Sequence, residues 1–194
     1  MKKVIAIAFT MLIYSISGNA QVIDLSYHQS VNAYTNELLS RNIDTICVFE
    51  KFDETKNPPY SQYILWKENR KTYLNKFDQK ALYPVVKVKY DTLWNVVLAN
   101  LQTIKNEIVE PFGYIATAYG KEQPFTTVSE ATNVSQFKIY INGDITTGWY
   151  NSFDLLEQSI IKNEMRKNTN YAHNRGLKGM QVVNMLDKII SDIE

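Results

Sequence analysis

The residues able to do chemistry are few. Two histidines, His28 and His173, and one cysteine, Cys47, are all the chain offers of the types that most often move protons, attack as nucleophiles or ligate metals. A zinc site draws on several His or Cys ligands, and this inventory does not supply them. Cys-x-x-Cys, His-Glu-x-x-His, Gly-x-Ser-x-Gly, the phosphate loop and Gly-x-Gly-x-x-Gly are all missing. No catalytic residue, metal or cofactor is therefore assigned.

His173 lies in Asn170-Tyr171-Ala172-His173-Asn174-Arg175-Gly176, which reads as a polar link between two helices. There it would serve as a general base, with Arg175 holding an anion. The plainer reading is a solvated turn in which Asn, His and Gly serve loop geometry, and it is the better supported. His28 falls beside the apolar stripe of a first helix and reads as structural or solvated. Cys47 sits in Ile46-Cys47-Val48-Phe49, apolar on both faces, and reads as a buried small hydrophobe. A glycosidase needs two acids a few ångströms apart. Glu157 and Glu164, seven residues apart on one expected helix face, and Asp144 are read as solvated charges.

The most suggestive stretch is basic and aromatic. Lys67, Arg70, Lys71, Lys76, Lys80, Lys87 and Lys89 stand among Tyr63, Trp66, Tyr73, Phe77, Tyr83 and Tyr90. Aromatic platforms beside cations suit sugars, peptides or polyanions. The competing reading is a sheet with aromatics packed inward and lysines facing solvent. Alternation supports the latter: Tyr73, Asn75 and Phe77 face one way, Thr72, Leu74 and Lys76 the other. The binding candidates are Trp66, Arg70 and Tyr73, with His173 and Arg175.

These residues need elements to hold them. Tyr27, Val31, Tyr34 and Leu38 predict a helix over 25–40, with Ser26 as a cap. Strands are predicted at 44–52, 62–67, 71–77 and, after Pro84, 83–90. Leu93, Val97, Leu101, Ile104 and Ile108 predict a helix over 91–109, capped by Asp91 and stopped by Pro111 and Gly113. Residues 114–119 suit a strand, and 120–135 read as a polar loop of the kind that carries function. The clearest signal is Asn142-Gly143 between 136–141 and 144–149, a two-residue type I′ hairpin. Asn151, with Asp154 three residues on, predicts a helix near 152–167. A last helix follows at 179–193. Hairpins dominate, so the expected fold is α+β: an antiparallel sheet with about four helices in one domain.

The first twenty residues predict export. Lys2-Lys3 precedes the apolar run Val4–Tyr14, and Gly18 and Ala20 put small residues before a cut at Gln21. The run is shorter than the roughly 20 apolar residues of a bilayer span. No Cys follows the cut to take a lipid. Removing Lys2 and Lys3 from the 21 basic residues leaves 19 against 20 acidic, so no net field draws in nucleic acid or a membrane surface. A periplasmic or extracellular location is expected, with no transmembrane span in the mature chain. Its expected partner is an envelope polymer, a peptide or a protein. Three functions fit: a non-catalytic binding domain using a sheet face, with or without the 120–135 segment; an exported hydrolase built on His173 and a carboxylate; and an inhibitor or immunity-type protein acting through the 136–150 hairpin.

Overall fold

Alternating side chains turn most of the middle of the chain into strands. The structure, a computed structural model, describes residues 25–53, 61–78, 83–89, 92–129 and 133–193, with side chains from Ser30 onward. The expected signal segment, Pro58-Pro59, the Asp91 cap and the side chains of Ser26, Tyr27 and His28 lie outside the described residues.

Helix α1 (Leu25–Ser40) leads into β1 (Thr45–Asp53), β2 (Gln62–Glu68), β3 (Lys71–Phe77) and the short β4 (Val86–Val88). Helix α2 (Thr92–Asn106) follows, then the hairpin β5 (Phe112–Ala118) and β6 (Lys121–Thr127). Next come β7 (Asn133–Ile141), β8 (Asp144–Asn151), β9 (Gln158–Ile161) and β10 (Glu164–Lys167). Helices α3 (Tyr171–Gly176) and α4 (Lys178–Ser191) end the described chain. All strand pairs are antiparallel. The main sheet runs β4-β3-β2-β1-β7-β8, while β5–β6 and β9–β10 are separate two-stranded sheets. The α+β expectation with four helices therefore holds among the described residues.

The main sheet is buried on both faces by helices. On one side α1 lays Val31 and Leu38 on Ile46, Ile64, Trp66 and Phe77. On the other, α2 and α4 press Trp94, Val97, Val182 and Leu186 onto Cys47, Phe49, Leu65, Phe137 and Ile139. Trp94 donates its indole N–H to Thr72 Oγ1 at 3.0 Å, satisfying two buried polar groups at once. No helix among the described residues is long and apolar enough to cross a membrane.

Five expectations need correction. Residues 120–135 are not one loop, because 121–127 form β6. Its side chains are mostly exposed on both faces, so no apolar alternation marks it. Residues 152–167 are not a helix. Asn151 accepts the amide of Phe153 at 2.8 Å, closing an Asx turn, and the chain then makes the β9–β10 hairpin. Helix α2 stops at Asn106, which leaves Ile108 outside it and 69% exposed. The 170–176 link is largely helical, as α3, and the strand at 83–90 shrinks to β4.

Four hairpins turn on two residues, all with both φ values positive: Asn69-Arg70, Tyr119-Gly120, Asn142-Gly143 and Lys162-Asn163. Two-residue loops with this geometry match the twist of the strands they join. A β-carbon in the left-handed region carries a cost that glycine avoids. Arg70 (φ 61°) is exposed and forms no side-chain hydrogen bond or ion pair among the described residues, so Arg70→Gly is expected to stabilise the fold by about 0.5 kcal/mol. The check is a rise in the urea midpoint at unchanged m.

Candidate functional site

The structure separates the five candidate residues. Trp66 and Tyr73 are cross-strand partners, stacked at 5.5 Å with 23° between their planes. Tyr34 of α1 meets Trp66 edge-on at 5.7 Å, and the Trp66 indole is buried. This part of the basic-aromatic stretch is core. Arg70 is exposed in the β2–β3 turn. His173 and Arg175 are exposed on α3, where His173 Nε2 lies 3.2 Å from the carbonyl of Ile108. None of the five except the Trp66–Tyr73 pair is brought together with another, and none lines a described cavity. Glu157 and Glu164 share no helix face. Glu164 lies on β10 and pairs with Arg166. Nor is the 136–150 hairpin a free arm, since β7 pairs along its length with β1. Among the described residues no cluster of three metal-ligating side chains is present.

What the 168–176 segment does bring together is amides. Asn174, fully buried, accepts the N–H of Glu110 at 2.9 Å and donates to the carbonyls of Glu110 (2.8 Å) and Asp154 (2.9 Å). Asn168 accepts from Gly113 and Asn170 and donates to the carbonyls of Asp154 and Leu156. Asn170 donates to the carbonyl of Pro111. Three carboxamides thus stand in for a missing ladder between 110–113, 154–156 and α3. From this segment the sequence offers His173 and Arg175 as candidates, and the structure gives the buried bonds to Asn168, Asn170 and Asn174 instead. The surplus of Asn was the available signal.

Two carboxylates act as anchors nearby. Glu107, one residue past α2, accepts the N–H groups of Lys178 (2.5 Å) and Gly179 (2.8 Å) at the start of α4. This supplies the N-terminal cap that Leu177 cannot. Asp154 accepts the amide of Phe112 at 2.9 Å, yet burial outweighs that bond and raises its carboxyl above the usual range. Both line a groove of about 360 Å³ along β8. The buried Tyr150 phenol beside Glu107 is also pushed up, chiefly by desolvation.

The largest described cavity, about 540 Å³, opens between the two small hairpins. Tyr114 and Phe125 stack across β5–β6 at 5.8 Å. The Arg166 guanidinium lies over Tyr114, 5.9 Å from its centroid, and donates to the carbonyl of Ile115 at 3.1 Å, tying the hairpins together. Ile161, Lys162 and Glu164 complete the far wall. Comparison of this chain with models of known protein families, with curated proteins and with solved structures found no match.

Asn174→Ala strands a buried set of backbone groups and is expected to cost about 2–3 kcal/mol, whereas His173→Ala should stay within about 0.5 kcal/mol. Denaturant titration of the two variants checks the contrast. Asp154→Asn keeps the acceptor for Phe112 while removing a desolvated charge. A raised folded-state pKa means the charged form penalises folding above the ordinary carboxylate value. The variant should therefore melt higher than the native chain at neutral pH, and the gap should close as pH falls to the ordinary Asp value. Paired melting curves from pH 7 to pH 3 read this directly.

Proposed function

We propose that the chain is exported and works in the periplasm or beyond as a non-catalytic interaction protein, engaging a protein partner through the cleft between β5–β6 and β9–β10. The observation that carries this reading is where the apolar surface lies. Tyr119, Phe125 and Ile161 line the cleft from the two hairpins, Tyr119 fully exposed, while Ile115, Ile160 and Met165 are exposed on the opposite faces of the same hairpins. Soluble monomers rarely gather large apolar side chains in one place without a use for them. Tyr, Phe and Arg around a cleft is the composition of a protein interface core. The two-lysine start, the apolar run and the small residues before Gln21 support export.

Two measurements test the reading. N-terminal sequencing of the exported protein should begin at Gln21, and a chain retained at full length inside the cell would refute export. A photo-crosslinking residue at Tyr119 should yield a discrete protein adduct that the same residue at Arg70 does not, and Phe125→Lys should abolish it without lowering the melting temperature. No adduct at Tyr119, or equal adducts at both positions, would sink the cleft as the interface.

A further inference from the structure

A second surface, separate from the hairpin cleft, is built into the main sheet. Strand β8 is its outer edge, eight residues long and, among the described residues, paired only with β7. The two-residue turn makes Ile141 and Asp144 the first pair of the hairpin. Alternation then sends the backbone groups of residues 144, 146, 148 and 150 towards β7, and those of 145, 147, 149 and 151 outward. Other edges are blunted. Strand β4 has three residues, with exposed Lys87 at its centre and exposed Lys89 just after it, and β6 carries Lys121 and Pro124. Such features deter strand addition. Strand β8 has no Lys, Arg or Pro, and it exposes Ile145 and Trp149 (each 48%) on the face opposite α2.

The edge also opens onto a groove. Residues 147–151 line one side of it, and Glu107 and Asp154 stand on the other. Among the described residues neither carboxylate has a cationic partner, and each accepts from backbone amides. We propose that β8 receives an extended peptide segment of a protein partner by antiparallel strand addition, with basic side chains alternating with apolar ones. The outward N–H and C=O groups of Thr147 and Trp149 bind its backbone. Its basic side chains fall on the Glu107–Asp154 side, and its apolar ones beside Ile145 and Trp149. Charge selects this occupant over a second copy of the chain. If two β8 strands paired about Thr147, Ile145 would meet Trp149, but Asp144 would face Tyr150 beside Glu107. Like charges would then meet in a half-buried groove.

The test uses the exported chain, residues 21–194, and three labelled octapeptides followed by fluorescence anisotropy: (Val-Lys)4, (Val-Glu)4, and (Val-Lys)4 N-methylated at every second amide. The expected result is binding of (Val-Lys)4 only, weakening with salt and falling by about tenfold or more in Asp154→Asn, which loses the charge. Thr147→Pro removes one outward N–H and leaves the β7 ladder intact, so it should weaken binding while the circular dichroism is unchanged. Among the described tryptophans only Trp149 is exposed, so its emission should shift to the blue on binding. Equal binding of the Lys and Glu peptides, or of the N-methylated one, would overturn the proposal. So would concentration-dependent dimerisation of the free chain that Thr147→Pro abolishes. These outcomes are independent of the Tyr119 adduct, so either surface can fail alone.

Discussion

The antiparallel ladder between β1 and β7 is the constraint on which the rest of the molecule depends. It joins Thr45–Asp53 to Asn133–Ile141 over nine residue pairs, with the 79 residues 54–132 lying between the two strands. Everything else hangs from it. To one side β2, β3 and β4 follow as successive neighbours, and to the other β8 follows β7 through the tightest turn available. Because β1 is flanked on both edges, its side chains serve two cores at once: Ile46 packs under α1, while Cys47 and Phe49 pack under α2 and α4. The entropy of closing so long a loop grows only slowly with its length, but non-local pairing of this kind slows folding.

Outside the sheet the chain solves a different problem. Residues 107–111, 152–157 and 168–177 lie outside the strand ladders, yet parts of them are buried. Backbone groups removed from water must find partners. Asn168, Asn170 and Asn174 supply them, and Glu107 completes the first turn of α4. The polar frame holds β5 and β10 side by side, where Arg166 links them. The cleft is thus positioned by hydrogen bonds more than by apolar packing, which leaves the hairpins' own apolar side chains free at the surface.

How much of this was legible follows the same division. Where a strand or helix lies on the main sheet, its alternation or 3.6-residue stripe is plain. Residues 25–40, 44–52, 62–67 and 71–77 were read to within a few residues. Asn142-Gly143 announced its turn because both residue types favour positive φ. Lys162-Asn163 adopts the same geometry (φ 51° and 65°) behind a lysine that gives no such sign. Strands β9 and β10 have four residues each, too short to establish a period, and Phe153, Leu156, Ile160 and Ile161 imitate a helical stripe. The candidate site failed for a related reason. Rarity drew attention to His173, whereas the working groups of that segment are amides whose partners lie more than fifty residues away in Glu110 and Gly113.

Cys47 sits at the centre of the first of these constraints. It is buried in the middle of β1, between Leu65 and Ile139 on the neighbouring strands, and its thiol is held far above the usual range by desolvation. An oxidising compartment would thus find no thiolate to attack while the sheet is closed. The single cysteine is a silent reporter: it becomes chemically visible only when β1 leaves β2 and β7. The rate at which a thiol reagent finds it counts openings of the whole fold rather than fluctuations of its surface.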